Sequence, residues 1–436
     1  MAEGSPVQHL FDHFLFPQIF RAFRMAIHPR KMALAFLGVA AIGLLGWAMD
    51  LNRVVTTDGL GRSGLDAYVG GVGRLGGATA HTGLQTGEPR GLFGELYRFW
   101  SGRFHDTFYA LSRMDIPGVT RHLTACLLAL EWAFVNDPLW STLFFALTLL
   151  ILAVAGGAIC RIAALQFAQG ERPGFVRSLQ FSALRFSHFF LAPLVPLMLI
   201  CAAGLLVALL GLAGNVPGAG EVLVGLGMPL ALVLGMVMTF LVVGSVAGFN
   251  LIFPAVAYDD SDVFIAVNNS FRYVFARPWR YGFYTLLAAI YGGITYYFMR
   301  LFAFGVLWIS YRFLQLGFVQ GNAKLERLWR EPSFADLFGQ SLVVGAEPSW
   351  SIGVGRFLIQ AAVLAVVVLL IAFCVSFYFT ANTLIYALLR KEVDDIPLDQ
   401  VQTLEDELDH VVPGPAAPSQ GAPAPAMDSS DPPATP

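Results

Sequence analysis

The sequence predicts an all-α, polytopic helical membrane protein with about six transmembrane helices and amphipathic elbow helices on the cytoplasmic side. Three observations predict it. The chain is 56% hydrophobic and 13% charged, about half the charge of an ordinary soluble domain. Several apolar runs reach the roughly 20 residues needed to cross a ~30 Å hydrocarbon core. Finally, one phrase is written twice: "AFRMAIHPRKMALAFLGVAA" at 22–41 and "SFRYVFARPWRYGFYTLLAA" at 270–289. Each is Phe-Arg, a short apolar stretch, a proline, a basic cluster and then a long apolar helix.

Taken in order, residues 1–31 form a cytoplasmic elbow. Pro17 opens a helix with Phe20, Phe23 and Ile27 on one face, ended by His28-Pro29. The first span, 32–49, has no A-x-A site after it and reads as a retained anchor. Residues 50–137 form an extracytoplasmic segment. Its glycine-rich part contains two literal G-x-G-x-x-G matches, at 59–64 and 71–76, without the strand, helix and acidic residue of a dinucleotide site. Residues 92–113 alternate aromatic and basic side chains as a surface-lying helix would. The stretch 117–135 rivals a span, but it carries Arg121, His122 and Glu131. Each costs about 2.5–3.5 kcal/mol if charged at the bilayer centre, so it reads as an interfacial or protein-packed helix.

Residues 138–391 hold five spans: 138–159, 188–212, 229–256, 281–300 and 357–380. The apolar excess at 222–228 and 301–318 is assigned to the interface or to tilt, and 319–356 to a second outer segment containing an amphipathic helix. Two further elbows follow the pattern of the first. Pro173 opens one with Phe175, Leu179, Ala183 and Phe186 in line, and Asp262 caps another with Phe264, Val267, Phe271 and Val274 in line. Their arginines, Arg21, Arg24, Arg177, Arg185, Arg272, Arg277 and Arg280, suit anionic headgroups, at about 1 kcal/mol each. The recurrence suggests a repeated elbow-plus-span unit. The plainer reading is that Phe/Arg helices arise beside any span. Residues 392–436 are a cytoplasmic tail, acidic to 410, with a short helix starting near Asp399, then Pro/Ala/Ser-rich and disordered.

Basic groups before the first span, between the second and third, before the fifth and after the sixth fall on one face when six spans are counted. The positive-inside rule makes that face cytoplasmic. Both termini are then cytoplasmic, and the expected location is a bacterial inner membrane. The net charge of −3 and the lack of a basic tract argue against nucleic acid.

Chemistry is sparse. Cys126, Cys160, Cys201 and Cys374 read as small core residues rather than disulfides or zinc ligands. His81, His105 and Asp106 lack metal-ligand spacing, no nucleophile elbow or Walker loop occurs, and no cofactor is expected. The intramembrane or interfacial polar candidates are Glu131, His122, Arg121, Asn250 and Arg300. Arg300 is expected to snorkel at the outer interface, and Asn250 to bond between helices. Asp259, Asp260 and Asp262 read as a helix cap with solvated neighbours.

The phrases "NNSFRYVFARPWR" (268–280) and "TLIYALLRKEVDDIPLD" (383–399), with Ile385, Tyr386, Leu389 and Arg390, resemble the membrane domain fused to bacterial glycerophosphodiester phosphodiesterases and related stand-alone proteins. The resemblance spans about 138–400. It implies a helical membrane module and brings no catalytic residues, because the phosphodiesterase barrel is absent. Three functions compete. One is a non-enzymatic scaffold or accessory subunit whose 392–410 segment meets a cytoplasmic protein. Another is a permease-like subunit with a coupling helix at 262–277. The third is a lipid-modifying enzyme using Glu131, His122 and His105.

Overall fold

A computed structural model describes residues 16–51, 64–75, 91–318, 323–334, 337 and 350–401. Of these, 88% are helical and none lies in a strand. His81, both ends of the glycine-rich stretch and the tail beyond Val401 fall outside the described residues.

A 3-10 turn, Phe16–Phe20, leads into α1 (Arg21–Ala26) and α2 (Pro29–Asp50). Then come α3 (Gly64–Leu75), α4 (Leu92–Ser112), α5 (Ile116–Asn136), α6 (Pro138–Ala168), α7 (Phe175–Leu184) and α8 (Phe186–Leu191). The remainder are α9 (Leu194–Ala213), α10 (Ala219–Asp259), α11 (Val263–Ala276), α12 (Pro278–Gly317), α13 (Ala323–Leu328) and α14 (Trp350–Asp394). Proline starts α2, α6 and α12, where its missing N–H has no intrahelical acceptor to lose. Gly218, at φ 81°, turns the chain into α10. Asp260 closes that helix at φ 47°, a left-handed conformation that Asp tolerates better than most residues.

Six helices, α2, α6, α9, α10, α12 and α14, are long and apolar enough to cross a membrane. The chain is a multi-pass membrane protein, and α5 is not one of the six. The third span begins at Leu194 rather than 188. Residues 186–191 form the separate α8, and Ala192-Pro193 break it from α9. The excess stretches 222–228 and 301–317 are continuous helix within α10 and α12, and Phe318 caps the latter.

Several of these helices exceed one crossing. The 41 residues of α10 and the 45 of α14 rise about 61 and 67 Å. One end of the bundle, the base, is where α6, α10 and α14 finish and α2, α9 and α12 begin. The main core lies there, with Ile159, Ile162, Val256, Tyr258, Leu384, Tyr386 and Leu388 all buried. The α9–α10 pair instead exposes Leu205, Leu209, Leu226, Val233 and Phe240, the surface expected of lipid-facing helices.

Glycine permits the closest approach. A Cβ on Gly156 of α6 would meet the Phe379 ring of α14 at 2.5 Å, and one on Gly157 would meet Ser182 Oγ at 2.5 Å and Phe189 at 2.8 Å. On α10, Gly244 and Gly248 similarly receive the ring of Phe271 from α11.

At the other end, α4 and α5 pair around Leu96, Phe99, Ala129 and Trp132. Asp50 at the end of α2 accepts from the Phe93 and Gly94 N–H groups at 3.1 and 2.7 Å, capping the first turn of α4.

The elbow segments pack by faces that overlap only part of the expected stripes. In the first, Ile19, Ala22, Met25 and Ala26 are buried, while Phe20 and Ile27 are exposed. In α7 the buried residues are Ser178, Phe181 and Ser182. In α11 they are Ala266, Val267, Ser270, Tyr273 and Val274, while Phe264 is 72% exposed. Small residues allow the backbones to approach closely, and Ser182 donates to the Ala153 carbonyl at 2.9 Å. Of the expected stripes, Phe20, Ile27, Ala183 and Phe264 are left exposed, whereas Phe23, Phe175, Leu179 and Phe186 pack against the core and Phe271 lies against the glycines of α10.

Candidate functional site

The base carries a linked set of carboxylates, arginines and tyrosines. Its centre is Asp259, in the last turn of α10. Arg390 Nε lies 3.0 Å from Asp259 Oδ1, with side chains only 7% and 13% exposed, and the Tyr386 hydroxyl bonds the other carboxylate oxygen. Ion pairs this buried hold only with good supporting contacts. Arg390 has two more: Nη1 donates to the Gln400 carbonyl at 2.7 Å, and the guanidinium lies 5.2 Å from the centre of the Tyr258 ring. The Tyr258 hydroxyl donates to the Leu398 carbonyl at 2.5 Å. The segment that leaves α14 is thereby strapped across the network, reversing at Asp395 with φ 55°.

Three more carboxylates complete it. Asp394 accepts from Arg272 and from the Tyr273 hydroxyl, both at 2.6 Å. Burial and that bond to Asp394 push the Tyr273 hydroxyl above the usual phenol range. Glu392 accepts from Tyr284 at 2.5 Å and pairs with Arg280 at 2.8 Å. Asp260 pairs with Arg185 at 2.8 Å. Arg161, stacked over Phe181 at 4.3 Å, donates to the Ala257 carbonyl at 2.8 Å. The end of α14 is therefore tied by charge to α10, α11 and α12.

These ties change the reading of several residues. Asp259 and Asp260 are ion-pair partners rather than solvated neighbours of a cap, and the Asp262 side chain makes no capping bond to α11. Arg185, Arg272 and Arg280 pair with carboxylates of the chain itself, and all seven elbow arginines but Arg185 are exposed. Asn250 accepts from the Tyr378 hydroxyl at 2.6 Å, linking α10 to α14.

Arg300 does not snorkel. It is 1% exposed, donating to the Tyr296 hydroxyl at 2.9 Å and the Phe334 carbonyl at 2.8 Å, with its guanidinium 4.9 Å from the centre of the Phe334 ring. Residues after α13 fold over it and supply the polar partners that water would have offered.

The three groups of the lipid-enzyme reading are not drawn into one site. Glu131 and Arg121 are exposed, and Glu131 stands beside Tyr68. His122 lies nine residues earlier on α5, about 13 Å along the helix. His105 and His122 do share the field of Asp106. Burial lowers the pKa of both, helped at His105 by Arg300, and Asp106 opposes it. No cluster of three or more His, Cys, Asp or Glu suited to a metal occurs among the described residues.

Sequence reasoning missed the network because its members are distant in the chain and each has a bland local explanation. The available signal was Tyr-x-x-x-Arg at 386–390 on an apolar helix, which places both side chains on one face one turn apart. No family, curated protein or solved structure matches the chain.

Proposed function

We propose that this protein is a non-enzymatic scaffold or accessory subunit of a membrane complex, set in a bacterial inner membrane with its base toward the cytoplasm. The observation that carries the reading is the mutual pairing of charges at the base. Arg390–Asp259, Arg272–Asp394, Arg280–Glu392 and Arg185–Asp260 join helices and give the bundle a rigid end. The aromatic face of α11 remains outward, with Phe264, Ile265 and Phe275 exposed, and Trp279 just beyond is 90% exposed. That face suits the acyl boundary of a leaflet.

The orientation rests on basic groups that meet at one end. Arg30 donates to the carbonyls of Arg172 and Pro173, and the pairs above bring in the rest. With the 4 native cysteines replaced, Arg177→Cys and Arg277→Cys are each expected to react with a membrane-impermeant maleimide only after the cytoplasmic face is opened. Labelling of one from each side would overturn the topology.

The same outward face of α11 favours a second reading, a permease-like subunit whose coupling helix meets an ATPase. Purification of the full chain in mild detergent, followed by reconstitution alone into liposomes, separates the two. The scaffold reading expects a partner at fixed stoichiometry and neither solute flux nor lipid conversion by the chain alone. A co-purifying ATPase would favour transport, and lipid turnover by the isolated chain would defeat the scaffold reading.

A further inference from the structure

The start of α2 gathers cations without a carboxylate to meet them. His28 is the N-cap, yet its side chain makes no capping bond, and the first turn of this 22-residue helix contains no acidic residue. The first N–H groups of a helix have no intrahelical acceptors, and the helix dipole adds positive potential there. Lys31 lies in that first turn and is 0% exposed. Among the described residues its Nζ has no hydrogen-bond partner, and neither has the buried Nδ1 of His28. A fully buried lysine is rare unless paired, because an unpaired buried charge is expensive.

The charges acting on His28 are all positive. Burial lowers its pKa, and so do Lys31, Arg172 and Arg30. Lys31 is thus near enough for its ammonium to be felt at the imidazole. Arg30 is committed elsewhere: its Nη1 donates to the Arg172 carbonyl at 2.5 Å and the Pro173 carbonyl at 2.9 Å. Those bonds hold the loop between α6 and α7 against the helix start and bring the exposed Arg172 to its mouth.

We propose that the base of α2 binds a phosphate group, with Lys31, His28 and the Arg30 and Lys31 N–H groups around it and Arg172 at the entrance. An anion would supply what the buried ammonium lacks, and a helix N-terminus is suited to phosphate. The phosphate belongs to a lipid headgroup or to a free ion. The lipid source rests on the orientation proposed above, since headgroups lie where the first span enters the bilayer. The anion site itself does not depend on that orientation, and the maleimide experiment tests orientation separately.

The test uses the full chain in dodecyl maltoside, which carries no phosphate, with phosphatidylglycerol or inorganic phosphate added. Native mass spectrometry counts bound adducts, and thermal unfolding is followed in parallel. The wild type is expected to retain phosphatidylglycerol, phosphate or both, and to melt at a higher temperature with them. Retention of the lipid alone identifies a headgroup site, and retention of inorganic phosphate as well identifies a site for the free anion. Lys31→Met is expected to lower retention about tenfold, the scale of one charged hydrogen bond. Without ligand it should melt above the wild type, because it removes an unpaired buried charge. Arg172→Gln, at an exposed position with its carbonyl intact, should weaken retention by a smaller factor, whereas Arg330→Gln, exposed and outside both the proposed site and the headgroup arginines, should leave it unchanged. Failure of the wild type to retain either probe would overturn the proposal, as would equal retention by the Lys31→Met and Arg172→Gln chains.

Discussion

Asp259→Ala is expected to destabilise the protein by about 3–5 kcal/mol, the range for removing one partner of a buried ion pair. Most of that loss is the charge left behind. Arg390, 7% exposed, would retain the Gln400 carbonyl and the Tyr258 ring but no anion. Tyr386 would lose the acceptor of a buried hydroxyl. Asp259→Asn should cost less, because the amide oxygen still accepts from Tyr386. The double variant Asp259→Leu/Arg390→Met should recover much of the loss, since apolar replacement of both partners removes the desolvation penalty along with the pair. Thermal unfolding of the purified chain in detergent measures all three. An Asp259→Ala chain that melts with the wild type would mean that the pair contributes nothing to the base.

Gly156→Val is the other severe change expected. The first added carbon would fall 2.5 Å from the Phe379 ring, well inside contact distance, and valine adds two methyl groups beyond it. Phe379 cannot swing away freely: it is 7% exposed and packs against Phe253 and Tyr378. Overpacking of this kind typically costs about 1–3 kcal/mol and occasionally more. Here it would part α6 from α14, whose polar ends carry Arg161 and Arg390. A loss of folded yield and a lowered melting temperature are expected, with partial rescue by Phe379→Ala, which vacates the contested volume. If Phe379→Ala instead worsens the Gly156→Val chain, the clash lies elsewhere.

The spans were legible because lipid imposes a length and a composition that few other structures share. Exclusion of 117–135 followed from three ionisable side chains in one short helix. What local pattern did not reveal was which side of an amphipathic helix meets protein. Hydrophobicity draws the eye to Phe20, Ile27 and Phe264, which stay exposed, while close packing selects Ala22, Ser182 and Ser270, where small side chains let backbones touch. A serine scores as polar in sequence and behaves as a spacer in the bundle. The start of the third span was misplaced because apolar content continues through Phe189 and Leu191, although Pro193 already breaks the helix. Arg300 and Asp259 carried no local sign of their partners. Phe334 is 34 positions from Arg300, and Arg390 is 131 from Asp259. Only folding brings such groups together.

The 45 residues of α14 run without interruption from Trp350 to Asp394, and its final turns are bolted to three neighbours. Such an element behaves as a lever with its fulcrum at the base. Force applied to the chain just past Val401 would first strain the Tyr258 and Arg390 clasps. It would then press the shaft against the neighbours that hold its far half, where Val363 and Leu370 pack with Leu307 and Trp329.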